Sequence, residues 1–254
     1  MKKTVHCFAA LWAAYAFVFA PLAVANDQAV VDQLRERLAT IIPGSPDTIV
    51  QTPVNGLYEA RYGANILYLS ADGRYAMQGN LVDLETRDNL TESSRTKARG
   101  ELIRGVSEAQ TLVYAPKGEV KHTVTIFTDV DCPYCQRLHA EIGELNNAGV
   151  KVRYILFPRS EEGSPSYVKS EHIWCASDRK KAFDAAKAGK PVAESKSCDS
   201  PIAQHRALGE SMGVGGTPAI VLDSGDIIPG YRPANELVVM FEQLALINAH
   251  RNAQ

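Results

Sequence analysis

The chain has 254 residues, 45% of them hydrophobic, with 27 Lys and Arg against 29 Asp and Glu. That apolar content can build a core, and the length suits one large or two smaller domains. The near-neutral balance argues against nucleic acid as a partner, because phosphate binding draws on a basic excess.

The first residues, MKKTVHCFAALWAAYAFVFAPLAVANDQ, read as a secretory leader. Lys2 and Lys3 form a positive start, an apolar run follows to Ala20, and Ala23-Val24-Ala25 is an A-x-A cleavage site. The run is short for a membrane span of about 20 residues. Cys7 lacks the upstream Leu of a lipoprotein signal, so residues 1–25 are expected to be removed after Ala25 and the rest exported. Of five cysteines, Cys132, Cys135, Cys175 and Cys198 then remain. An even number in an oxidising compartment favours disulfides over zinc.

Residues 26–86 read as a small α+β domain. Val30, Val31, Leu34, Leu38 and Ile41 recur at helical spacing up to Pro43-Gly44. The segments TIVQ, GLYEARY, NILYLS and RYAMQG follow as strands, the last two joined by a turn at Ala71-Asp72-Gly73. A unit of this size buries little core alone, which favours pairing with a copy of itself. Residues 87–111 predict a helical linker, charged nearly all round except for Leu102, Ile103 and Val106. An ordinary surface helix of the next domain is the alternative.

Residues 112–254 predict an α/β domain. HTVTIF is a strand, CPYCQRLHAEIGELNNAG a helix and VKVRYILFP a strand. A long helical section is expected from about Ser166 to Met212. AIVLD and DIIPGY then form a hairpin about Ser224-Gly225, and a last helix closes the chain.

Cys132 falls where the first of these strands gives way to its helix, with Pro133 at the first helical position. There the helix's unpaired N–H groups and positive end favour a thiolate, the nucleophilic form. Cys135, three residues further on, is placed to attack a mixed disulfide formed at Cys132, and should be the less exposed of the two. A closed zinc site is the alternative; it needs four ligands, and only His139, His172 and Cys175 are at hand to complete it. His139 reads as a surface residue. Thr217-Pro218 precedes a strand, where a cis bond would let the chain turn tightly.

These features resemble the thioredoxin superfamily, and within it the periplasmic disulfide isomerases of the DsbC/DsbG family. The resemblance spans TVTIFTDVDCPYC, VRYILFPR, HIWCASDRKKAFDAAKAGK, GVGGTPAIVL and PGYRP. It implies a thioredoxin-like catalytic domain with a helical insertion, preceded by a cystatin-like dimerisation domain and a helical linker. It further implies Cys132 as attacking and Cys135 as resolving cysteine, flanking the loop residues Pro133 and Tyr134. Thr217 and Pro218 would form a substrate-contacting cis-proline loop. Expected partners are misoxidised exported proteins, a second copy in a homodimer and a membrane electron donor of DsbD type; no cofactor or metal is expected. The Pro133-Tyr134 dipeptide is that of the DsbG branch, whereas Cys175 and Cys198 match the structural disulfide of the DsbC branch. The chain therefore reads as DsbC-like, a disulfide isomerase and reductase with chaperone activity. The alternatives are a DsbG-like reductase and chaperone, a net thiol oxidase, or a chaperone whose cysteines are secondary. Where thioredoxins keep a buried carboxylate, six residues before the first cysteine, this chain has Ile126. The proton acceptor for Cys135 is thus unassigned.

Overall fold

The computed structural model describes residues 22–251. The basic start, apolar run and Cys7 of the expected leader lie outside the described residues. Its expected last residues, 22–25, fall within the first helix, α1 (Leu22–Ala39).

Four antiparallel strands follow in spatial order: β1 (Thr48–Gln51), β2 (Leu57–Tyr62), β3 (Asn65–Ser70) and β4 (Ala76–Met77). Leu34 and Leu38 of α1 are buried against Ile49, Tyr58, Ala60 and Leu69 of this sheet, so the helical periodicity of the sequence becomes a single packed face.

Helix α2 (Leu90–Arg104) is gripped at both ends. In its first turn the buried Thr91 hydroxyl meets the Tyr68 hydroxyl at 2.5 Å and accepts from Leu81 N–H at 2.7 Å. Towards its other end Arg99 Nε donates to Met212 O at 3.1 Å and Arg104 to Asp223 O at 2.8 Å. Ile103 packs with Phe127, Ile155 and Val221, with Leu102 and Val106 beside it. The thin apolar stripe of α2 is therefore the part docked on the second domain. Gly225, at φ +95°, lets that domain's hairpin approach α2, since a Cβ there would meet Thr96 O at 1.8 Å.

The second sheet runs β5-β7-β6-β8-β9, with β5 (Leu112–Tyr114), β6 (His122–Thr128), β7 (Val150–Leu156), β8 (Ala219–Leu222) and β9 (Ile227–Pro229). Only β6 and β7 are parallel. β6 lies at the centre and its C-terminal end delivers the cysteine pair. After it come α3 (Pro133–Ala140) and α4 (Ile142–Asn147), where one continuous helix is expected. The break falls at Glu141, whose carboxylate accepts from Ala234 N–H at 2.7 Å and from the Tyr231 hydroxyl, capping the last helix, α8 (Ala234–Arg251). Between β7 and β8 the expected long helical section is instead three short helices: α5 (Pro165–Cys175), α6 (Arg179–Lys187) and α7 (Ile202–Ser211). Gly189, at φ +74°, ends α6, and the polar, proline-flanked stretch 190–201 offers no apolar face to pack. A Cys175–Cys198 disulfide ties that stretch to the end of α5.

Candidate active site

The end of β6 organises the site. Thr128 O accepts from Phe157 N–H at 2.8 Å, the last ladder bond to the neighbouring chain segment. The chain then turns on Asp129, which is buried and accepts from Asp131 N–H at 2.8 Å and from Arg159 N–H and Nε at 3.0 and 3.2 Å. Cys132 is the N-cap residue of α3, with extended backbone and no side-chain cap bond of its own. Its sulfur therefore stands over the open N–H groups of the helix, with Pro133 in the first turn.

Both cysteines are free thiols, and both are covered: Cys132 is 2% and Cys135 1% exposed. The expected difference in exposure is not what separates them. The peptide bond Thr217-Pro218 is cis and brings the Thr217 carbonyl to the sulfur of Cys132, whose thiol donates to it at 3.3 Å. A thiolate cannot make that bond. The Thr217 hydroxyl, buried without a partner of its own, is the side-chain donor at hand for the ionised sulfur. Burial pushes the Cys132 thiol up, but hydrogen bonds from Thr217 and from the Cys135 side chain and backbone, with the Arg159 charge, outweigh it and its pKa is lowered. Cys135 goes the other way. Burial raises its pKa, opposed by the Lys187 charge and by hydrogen bonds from Thr128, Thr217 and the backbone of Asp129. Hydrogen bonds and the Arg159 charge win at Cys132 and burial wins at Cys135, which divides the pair into a nucleophile and a held proton.

Tyr134, between the cysteines, is 61% exposed and stacks on Tyr231 at 6.5 Å, with the Arg137 guanidinium 4.5 Å from the Tyr231 ring. Thus the PGYRP segment supplies an aromatic shoulder to the site. Cys175 and Cys198 are bonded to each other within the helical insertion. His139 corrects the surface expectation. It is buried, with Nδ1 at 3.3 Å from the Tyr154 hydroxyl and Nε2 at 3.0 Å from Asp184. The helix turns it inward onto the α6 side, where Tyr114 and Phe183 also meet its ring. It is thereby engaged, and among the described residues no group of three His, Cys, Asp or Glu side chains could hold a metal ion.

Sequence reasoning missed four residues of the site: Thr128, Asp129, Arg159 and Lys187. Lys187 is 5% exposed and donates to Thr128 Oγ1 at 2.9 Å and to Asp129 O at 2.7 Å. A signal existed, since Lys187 follows Phe183 by four residues and adjoins Ala186, placing it on the apolar face of α6.

A central β-strand delivering a C-x-x-C helix beside a cis-proline turn defines a thioredoxin-like thiol–disulfide oxidoreductase. Residues 109–245 match the family model described as a thioredoxin-like domain, and residues 22–92 that of the disulfide bond isomerase protein N-terminal domain. The chain is 38% identical over 239 residues to the thiol:disulfide interchange protein DsbC of Escherichia coli, covering 93% of this chain and 94% of that one. It is 38% identical over 246 residues to DsbC of Salmonella typhimurium, covering 96% and 97%. Among solved structures, a disulfide interchange protein from Neisseria gonorrhoeae is 30% identical, at a TM-score of 0.47, over 53% of this chain and 97% of that one. The chain belongs to the DsbC family of thiol:disulfide interchange proteins and is an enzyme of the protein disulfide isomerase class.

Proposed function

We propose that Cys132 is the attacking and Cys135 the resolving cysteine of a periplasmic disulfide isomerase and reductase that acts on misoxidised exported proteins. The observation that carries this reading is the opposite displacement of the two thiols beside the cis Thr217-Pro218 bond. The Cys132 thiolate attacks a non-native disulfide and displaces one substrate sulfur as a thiolate. A second substrate thiol then releases Cys132, which completes isomerisation. Alternatively Cys135 releases it, which reduces the substrate and oxidises the pair. Pro133 and Tyr134 shape the active-site loop, and Thr217 and Pro218 hold the substrate backbone against it. Because the reductive exit consumes thiols, an electron donor of DsbD type restores the reduced pair.

The N-terminal domain is the dimerisation domain, and chaperone activity belongs to the cleft between two copies. Supporting this, Tyr75, Met77, Val82 and Leu84 are exposed at and beyond β4, the short edge strand of the first sheet. Cys175 and Cys198 are a structural pair.

The test is recovery of a ribonuclease with scrambled disulfides by the pre-reduced protein without added oxidant. Recovery lost in Cys132→Ser is the expected outcome. Efficient oxidation of reduced ribonuclease by the oxidised protein, with no recovery of the scrambled form, would instead establish a net oxidase.

A further inference from the structure

We propose that Lys187, acting through the Thr128 hydroxyl, governs the proton of Cys135 and so sets how fast a mixed disulfide on Cys132 is resolved within the chain. The proposal rests on the assignment of Cys132 as attacking and Cys135 as resolving cysteine, and it fills the place that Ile126 leaves empty of any carboxylate.

The geometry begins with a buried ammonium group. Lys187 Nζ has two oxygen partners, the Thr128 hydroxyl and the Asp129 carbonyl, and both are neutral. A charge so placed is costly unless another charge answers it. The carboxylates nearby are already engaged: Asp129 by Arg159, and Asp131 by Lys169 at 2.8 Å. His139 on α3 faces Asp184 and is kept neutral by its burial. Tyr154 of β7, fully buried, stays a neutral phenol for the same reason. What remains to answer Lys187 is the pair of sulfurs, Cys135 foremost.

Thr128 joins the two. Its hydroxyl accepts from Lys187 at 2.9 Å, and the same side chain is among the groups that favour the ionised Cys135 sulfur. Burial draws the Lys187 ammonium down to about 8, while Cys135, Asp129, Cys132 and Asp131 pull it back up. Because burial lowers Lys187, its neutral amine is populated near neutral pH and can accept a proton, and the ammonium so formed favours the Cys135 thiolate by its charge.

In the mixed disulfide, Cys132 Sγ is bonded to a substrate sulfur and Cys135 keeps its proton. That proton passes to Thr128 Oγ1 while the hydroxyl proton passes to the neutral amine of Lys187. The Cys135 thiolate attacks Cys132 Sγ, the bond to the substrate sulfur breaks, and the electron pair leaves on that sulfur, which is protonated from solvent. The active site has given up two electrons as a Cys132–Cys135 disulfide, and the substrate has gained them. Lys187 then returns its proton to solvent.

The experiment mixes the reduced protein with 5,5′-dithiobis(2-nitrobenzoate) in a stopped-flow instrument across pH 5 to 9. The first equivalent of coloured thiolate reports attack by Cys132 and the second reports resolution by Cys135. In Lys187→Met the pH midpoint of the second phase should rise by about one unit and its rate at pH 7 fall about tenfold, with the first phase within about threefold of the parent. Thr128→Val should move the second phase the same way, and it decides the matter if Lys187→Met does not fold. A second phase whose rate and midpoint are unchanged in the folded variants overturns the proposal. If Cys132→Ser instead keeps the fast first phase, and loses only the second, the assignment of the two sulfurs is what fails.

Discussion

Burying a thiol ordinarily makes it a weaker acid, so the depressed pKa of Cys132 must be produced by what surrounds it. Its surroundings are helix N–H groups, Thr217, Cys135 and a half-exposed Arg159. Alkylation of the reduced protein with iodoacetamide, mapped by peptide mass, should therefore modify Cys132 at a pH below the ordinary thiol range and Cys135 only above it. Removing the Arg159 charge in Arg159→Gln should shift the Cys132 profile upward by a fraction of a unit, since that side chain is half solvated and salt screens it. Two buried imidazoles give a second dependence at this scale. His139 and His205 are both lowered chiefly by burial, so the folded state binds their protons less readily than the unfolded chain does. Their contribution to stability is present above the unfolded pKa of about 6.5 and is lost as the pH falls through the folded values. The urea midpoint should fall between pH 7 and pH 5, and His205→Asn should flatten part of that slope.

At the scale of elements, α2 and the helical insertion carry the expectations. Ile103 is fully buried between α2 and the central sheet, so Ile103→Ala should cost about 2–5 kcal/mol in denaturant unfolding. The Cys175–Cys198 bond closes a loop of 23 residues. Replacing both cysteines with Ala should lower stability by about 3 kcal/mol on the chain-entropy estimate while leaving the alkylation profile of Cys132 in place. A folded double variant without activity would show that the bond does more than hold the insertion. The strands were legible because alternation and turn residues such as Asp72-Gly73 are local signals. So was the placement of Cys132, because a proline one residue into a helix marks its start. The break at Glu141 was not legible: it depends on a cap given to α8 some 90 residues later, and a helical period says nothing of that. The break after Lys187 was legible in Gly189 and Pro191, which stop a helix, and was passed over. His139 and Lys187 were misjudged or missed for one reason: a polar residue on an apolar face declares its burial only once the partner element is known.

For the molecule as a whole, the N-terminal sheet leaves Met77 and Leu84 in solvent, 55% and 87% exposed, beside an edge strand of two residues. A lysine on such an edge discourages pairing. On the dimer proposed above, Met77→Lys should shift sedimentation at micromolar concentration from dimer to monomer and reduce refolding of scrambled ribonuclease, with the reactivity of Cys132 towards small disulfides unchanged. The insertion has a further meaning for anyone wishing to borrow this chemistry. Cys132 and Cys135 sit at the end of β6, but Lys187 arrives on α6, a separate helix beyond β7 and α5. Grafting the C-P-Y-C tetrapeptide alone would transplant the sulfurs and leave their proton partner behind, so the transferable unit is β6 to α6, an architectural block and not a four-letter cassette.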